Sequence, residues 1–354
     1  VSADATAADL EPACTAAELT PEWLGRALGG PVRAARVEPV GTGQIGAVYR
    51  VHLDGAGVPE RVLAKLPAAD PGTRAMLAGP YRQEVAFYTR LAATVAVRVP
   101  RCHHAVSRGD GAEFTLLLED LAPGTPGDQI AGCGYPEAAA AVRNLAGLHA
   151  PRWCDPALLD EPGLSLTGPG EAAMLADLYG PALDTFLARL GDRLDPADAD
   201  TLRACAAGSA DWLVARPERF ALVHGDYRLD NLLFDTRGGG TVTAVDWQTL
   251  GLGLPARDLA YFVGTALDPA DRARHEDALV EQYWRALCEL GVTGYTLGQC
   301  RRDYVFAMPQ GPLVAVFGAA YGTPSERGDA MFAAMVRRSC AAIRELGSLA
   351  ATPG

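Results

Sequence analysis

The chain has 354 residues, 49% of them hydrophobic and 21% charged, enough for about two domains with a sizeable core. Its net charge of −12, with no block of consecutive Lys or Arg, excludes an electrostatic nucleic-acid binder of the usual basic kind. Eight scattered cysteines without a CxxC pair argue against a zinc site or disulfide framework and suit a reducing cytoplasm.

The first twenty residues carry four acids and no base, and no apolar run of signal-peptide length follows, so a secretory signal is not expected. Residues 35–66 read as three strands separated by turns: "ARVEPVGTG", "AVYRVHL" and "RVLAKL". The first turn, Gly41-Thr42-Gly43-Gln44-Ile45-Gly46-Ala47-Val48, fits G-x-G-x-x-G-x-V. A dinucleotide fold would need a helix after Gly46 to hold the pyrophosphate. A strand-period pattern follows instead, which suits a Gly-rich hairpin lying over phosphates. Lys65 sits in an apolar strand, where a cation is costly unless it is paired or touches an anion; an edge lysine reaching water is the plain alternative.

"YRQEVAFYTRLAATV" has helical periodicity and brings the acid Glu84 downstream of Lys65. His103-His104 fall in an expected connecting segment and, lacking Cys or acid partners, make no metal site. "EFTLLLEDL" reads as another strand, and "APGTPGD" as a hinge. Beyond it the pattern is mainly helical, in "PEAAAAVRNLAGLHA", "EAAMLADLYGPALDTFLARL" and "DPADADTLRACAAGSADWLVA". His149 lies on an apolar helix face, as a core histidine would, and Trp153, Trp212, Trp247 and Trp284 read as packing residues.

"LVHGDYRLDNLLFD" then places a polar cluster between apolar brackets, and "TVTAVDW" follows. His224-Gly225-Asp226 with Asn231 gives H-x-D-x-x-x-x-N, and Asp246 closes the last strand. An amide oxygen and a carboxylate after adjacent strands suit Mg²⁺ with phosphate, while Asp226 is free to accept a hydroxyl proton. Tyr304 to Ser325 contains no charge, but Pro309, Pro312 and Pro324 interrupt it, so a buried or pocket-lining segment is expected rather than a membrane span.

In order, "GTGQIGAV", "VLAK", "QEVAFY", "HGDYRLDN" and "VDW" resemble the protein-kinase-like phosphotransferases. The closest resemblance is to the aminoglycoside phosphotransferase-like small-molecule kinases, in a bacterial branch near the ecdysteroid-kinase-like proteins. It covers nearly everything from about residue 35. It implies an α+β, two-lobed protein-kinase-like fold: a small β-rich nucleotide lobe with a helical N-terminal extension over 1–120, a hinge over 121–127, and a helical lobe over 128–354.

It further implies that Gly41, Thr42, Gly43, Gly46 and Val48 cover the phosphates of ATP or GTP, and that Lys65, held by Glu84, touches the α/β-phosphates. The backbone from Glu119 to Leu121 would meet the purine. Asp226 would be the catalytic base, Asn231 and Asp246 the Mg²⁺ ligands, His224 a scaffold residue, and Asp258 a prop for the catalytic loop. Arg228 stands where a γ-phosphate cation or a solvent-facing residue would stand. "VDW" in place of D-F-G, and no A-P-E segment, make a phosphorylation-gated protein kinase unexpected.

The acceptor is expected to be a small-molecule hydroxyl. Tyr304, Phe306, Met308, Phe317 and Tyr321 in an acid-free stretch suit a partly apolar, natural-product-like or lipid-like alcohol better than a polycation. An aminoglycoside-resistance kinase, a nucleotide-binding pseudokinase and a nicotinamide oxidoreductase are the alternatives. No nucleic-acid or membrane partner is expected, and the location is expected to be cytoplasmic.

Overall fold

In the computed structural model the described residues are 10–40, 46–235 and 240–351. The chain divides into two compact units: Val1–Ala93, Val99–Pro123 and Asp246–Thr249 in the first, Thr94–Arg98, Gly124–Val245 and Leu250–Gly354 in the second.

The first unit opens with α1 (Pro21–Leu28), whose N-cap Thr20 accepts a hydrogen bond from Trp23 N–H and whose C-cap Gly29 takes the left-handed conformation. Five strands follow: β1 (Val32–Pro39), β2 (Ala47–Gly55), β3 (Arg61–Leu66), and, after helices α2 (Pro71–Met76) and α3 (Ala78–Ala86), β4 (Cys102–Arg108) and β5 (Glu113–Glu119). They pair antiparallel in the order β1-β2-β3-β5-β4. Leu24 and Ala27 of α1 join Val51, Val62, Ala64, Leu66 and Leu117 of the sheet in one buried cluster.

The segment holding His103 and His104 is a strand, not a connector. Its pattern Cys-His-His-Ala-Val-Ser-Arg hides the alternation, because the inward positions are His104 and Val106. His104 meets the Trp23 ring edge-on at 5.7 Å, so packing accounts for it. The helix expected over residues 81–95 begins as α3 and continues through a π-helical turn at Phe87–Leu91.

The second unit is mainly helical. After the short β6 (Thr125–Pro126) come α4 (Tyr135–His149), α5 (Pro169–Leu190), α6 (Pro196–Ala207) and α7 (Ser209–Val214). Strand β7 (Ala221–Val223) leads into the H-x-D-x-x-x-x-N segment, and β8 (Leu232–Asp235) and β9 (Thr241–Ala244) leave it as an antiparallel pair with β6 at their edge. Strand β10 (Gly251–Gly253) pairs back onto β7. Helices α8 (Ala256–Ala266), α9 (Pro269–Glu289), α10 (Leu297–Ala307), α11 (Gln310–Tyr321) and α12 (Glu326–Leu346) complete it.

The charge-free stretch forms the end of α10 and all of α11, broken near Pro309. Among the described residues no helix is long and apolar enough to cross a membrane. Tyr304, Phe306 and Met308, expected to be available to an acceptor, are instead core residues, at 3%, 0% and 0% exposure. Only Phe317 and Tyr321 of that set keep accessible surface.

Candidate active site

Two clusters of polar side chains stand out, one in each unit. In the first unit, Lys65 on β3 is 2.6 Å from Glu84 Oε2 on α3 and 3.0 Å from Asp246 Oδ1. Glu84 is completely buried. Burial works against the Lys65 ammonium, but Asp246 and Glu84 outweigh it and hold its pKa above the ordinary lysine value.

Asp246 adopts a φ of 68°, a left-handed conformation that costs a non-glycine residue of order 1 kcal/mol or more. The next residue anchors that turn. Trp247 is fully buried, its N–H donates to Glu84 Oε1 at 3.4 Å, and its ring stacks on Phe87 at 3.6 Å with planes 9° apart.

Gly46 lies where the backbone runs tight against β3. A Cβ there would come within 2.8 Å of the Leu66 carbonyl oxygen, so only glycine fits without a shift. Val48 pairs with Lys65 across β2 and β3. Gly41, Thr42 and Gly43 lie outside the described residues. Strand β5 ends at Glu119, whose N–H donates to the Arg101 carbonyl at 2.8 Å and whose carboxylate accepts from Arg101 N–H. Leu121 follows the end of that strand. Between them Asp120 pairs with Arg50 at 2.8 Å and caps the Ala122 N–H.

In the second unit the loop after β7 is clamped by a buried carboxylate. Asp258, near the start of α8, accepts from His224 N–H at 2.6 Å and Gly225 N–H at 3.0 Å, and its Oδ2 lies 3.3 Å from His149 Nε2. His149 Nδ1 is in turn 2.7 Å from Tyr283 Oη, so this core histidine supports the loop from behind. Gly225 has a φ of 79°, which places both adjacent N–H groups on Asp258 at little steric cost. His224 Nδ1 accepts the Asp226 N–H at 3.3 Å, which leaves Nε2–H to donate to the Val245 carbonyl at 3.1 Å. These bonds make His224 a scaffold for the loop.

Three side chains hold the Asp226 carboxylate. Arg228 Nε is 3.0 Å from both oxygens, Asn231 Nδ2 donates to Oδ2 at 2.9 Å, and Tyr261 Oη donates to Oδ1 at 2.7 Å. Asn231 Nδ2 also reaches the Asp226 carbonyl, so the amide oxygen is the atom that a cation would take. Arg228 is turned onto the loop's own carboxylates, with 19% of its side chain exposed. Its Nη1 binds Asp230 at 2.9 Å, and the two aspartates together raise its pKa against the effect of burial.

Asp230 is more than a loop residue. It accepts from Arg327 Nη1 and Nη2 at 2.9 and 3.1 Å and from Gln129 N–H at 3.0 Å. Burial alone would raise its pKa; Arg327, Gln129 and Arg228 outweigh that and hold it below the usual carboxylate range. Gln129, fully buried, also accepts from Leu229 N–H and donates to the Thr265 carbonyl, tying the loop to α8. Asp235 ends β8.

Tyr261, Gln129 and Arg327 escaped the reading of the sequence. Tyr261 had a faint signal: it lies three residues after Asp258, hence on the same face of α8. We expect Tyr261→Phe to lower kcat about tenfold with nucleotide KM unchanged, the effect of one hydrogen bond to a charged group. Steady-state kinetics with varied ATP checks this, and an unchanged kcat would show that Tyr261 only packs.

Carboxylate and amide oxygens are hard donors of the kind Mg²⁺ takes, and each unit carries one, Asp246 in the first and Asn231 in the second. Among the described residues no group of three or more His, Cys, Asp and Glu forms a metal centre of its own.

An antiparallel five-stranded unit with a Lys–Glu pair, followed by a helical unit with an H-x-D-x-x-x-x-N loop, is a protein-kinase-like phosphotransferase fold. The profile of the phosphotransferase enzyme family, APH, matches residues 36–296, and the chain belongs to that family.

Over 137 residues it is 31% identical to acyl-CoA dehydrogenase family member 10 of Mus musculus, which is 32% of this chain and 13% of that protein. The chain therefore spans only a small part of the length of that relative. In fold it is similar to choline kinase from Cryptosporidium parvum Iowa II, with a TM-score of 0.61 and 9% identity over 94% of this chain and 95% of the other. A choline/ethanolamine kinase family protein from Mesorhizobium loti gives a TM-score of 0.53 and 18% identity over 94% and 95%.

Proposed function

We propose that the protein transfers the γ-phosphoryl group of ATP or GTP to a hydroxyl of a small, partly apolar, lipid-like or natural-product-like alcohol. The observation that carries this is Asp226, whose carboxylate is oriented by Tyr261, Arg228 and Asn231 on a loop fixed by Asp258. Asp226 orients the acceptor hydroxyl and takes its proton as the oxygen attacks phosphorus in line with the leaving diphosphate. Lys65, kept charged by Glu84 and Asp246, binds phosphate oxygens, and the glycine-rich sequence over residues 41–46 would assist it. The backbone at Glu119–Leu121 receives the purine. Asn231 and Asp246 would hold Mg²⁺, which would supply positive charge against the phosphate oxygens.

Two features support the acceptor class. Asp226 and Asp230 are matched by Arg228 and Arg327, so the base lies in a charge-balanced setting that offers a cationic acceptor little attraction. Arg228 also touches Met331 at 3.2 Å, and Phe317 and Phe332 pack on the apolar cluster containing Met331.

The test is mass spectrometry of a panel of alcohols incubated with ATP, Mg²⁺ and enzyme. A phosphoryl mass gain on neutral or acyl-chain alcohols, with little on choline or aminoglycosides, is the expected outcome. Transfer confined to aminoglycosides would overturn this acceptor class.

A further inference from the structure

Of the adjacent histidines that open β4, only His104 is accounted for by packing, against Trp23. His103 is the extra residue of a β-bulge: Cys102 pairs with Leu118, and His104 with the next residue of β5, Leu117. Such a bulge takes its extra residue out of the ladder and re-aims its side chain. Cys102 Sγ donates to the His104 carbonyl at 3.4 Å across it. His103 lines a cavity of about 330 Å³ in the first unit. The other walls are Arg101 and Cys102, Leu28 at the end of α1, and Gly57 and Pro59 of the turn between β2 and β3. Ligand pockets in proteins begin at about this size, roughly ten times the volume of one water.

The ionisable groups of this cavity leave it cationic. Neither the Arg101 guanidinium nor the His103 imidazole has a hydrogen-bond or ion-pair partner among the described residues. The acid that faces His103 is Glu119, the last residue of β5. Its exposed carboxylate accepts the Arg101 backbone N–H at 3.1 Å and makes no ion pair with either side chain. Cys102 adds no negative charge, because burial pushes its thiol up to about 11. Burial, and then Arg101, hold the His103 pKa below the ordinary histidine value against the pull of Glu119. One exposed arginine alone would be an ordinary solvated charge. A guanidinium and a protonatable imidazole turned into one concavity run against a net charge of −12, repel a metal cation and attract an anion.

We propose that this cavity binds the phosphate or carboxylate group of a small metabolite, with Arg101 as the fixed cation and His103 as the second donor. A guanidinium recognises such a group through paired, charge-assisted hydrogen bonds. Leu28 and Pro59 offer apolar surface to the carbon frame beside it. Arg101 is also tied to β5 by its backbone: its carbonyl accepts the Glu119 N–H at 2.8 Å, and its N–H donates back to the Glu119 carboxylate. An anion that fixes Arg101 therefore fixes the end of that strand. Because His103 takes up a proton as the anion enters, binding tightens as pH falls.

The test is calorimetric titration of sulfate, whose own charge does not change between pH 6 and pH 8, into the full chain. Mg²⁺ and a non-hydrolysable ATP analogue are kept in excess, so that other phosphate-binding groups are occupied. One equivalent should bind near pH 6, and more weakly near pH 8. Arg101→Gln should weaken binding at both pH values at least about tenfold, the loss of a charge-assisted bond. His103→Gln should weaken it near pH 6 and abolish the pH dependence. Neither side chain is fully buried, and thermal melts check that each variant is folded. A parallel titration with acetate separates the sources: Arg101-dependent binding as tight as that of sulfate indicates a carboxylate, and sulfate alone indicates a phosphate. No sulfate binding to the wild type, or equal binding by wild type and Arg101→Gln, overturns the proposal.

Discussion

Asp226→Asn should lower kcat by about 10²–10⁴ while leaving nucleotide affinity within a few-fold of wild type. The substitution keeps the shape of the side chain, and its oxygen still accepts from Tyr261 and Arg228. Arg228 keeps Asp230 as a partner, so no buried cation is stranded. What is lost is the negative charge that draws the acceptor proton, together with the Asn231 Nδ2 hydrogen bond to Oδ2, which the new amide N–H cannot accept. Because Lys65, Glu84 and Asp246 form a separate cluster, ATP binding should survive. Isothermal titration with Mg²⁺ and ATP, beside single-turnover transfer to an acceptor from the alcohol panel, separates the two quantities. Near-wild-type turnover would remove Asp226 from the role of base.

Which of these features the sequence disclosed depends on how local their causes are. Strands β2 and β3 announce themselves by alternation within each segment, and β5 as a short apolar run over residues 114–118 between two glutamates. Strand β4 does not, since its inward positions are a histidine and a valine among polar neighbours. The catalytic-loop motif is compact enough to read in line, and Asp258 and Asp246 follow it closely in the chain. Its supports are not local: Gln129 lies 100 residues before its Leu229 partner, and Arg327 lies 97 after Asp230.

No local pattern marks a glutamine or an arginine whose partner is that distant. The acceptor side misled for a related reason. An uncharged run predicts burial, but burial in a core and burial against a ligand look alike in composition. The structure assigns Tyr304, Phe306 and Met308 to the core.

Lys65→Met should cut kcat about 10²–10³ and also make stability fall more steeply with rising pH than it does in the wild type. With the ammonium gone, Glu84 remains fully buried beside Asp246, and a carboxylate so placed is costly as an anion. Even with Lys65 present, desolvation raises the Glu84 pKa above 4.5, while Lys65 pulls it down and Asp246 pushes it up. Removing Lys65 removes the lowering influence, so the folded-state pKa must rise further.

A raised folded pKa means that the folded state binds the proton more tightly than the unfolded chain. The associated stability is therefore fully present below about pH 4.5 and is lost as pH rises through the folded value. The variant should be destabilised by about 3 kcal/mol near pH 8, the order of a broken buried pair, and clearly less near pH 5. Urea melts at the two pH values give the comparison directly. Adding Glu84→Gln to Lys65→Met should abolish the pH dependence and recover part of the stability, without restoring kcat. If the single variant melts identically at pH 5 and pH 8, Lys65 does not neutralise a buried carboxylate in its cluster with Glu84 and Asp246.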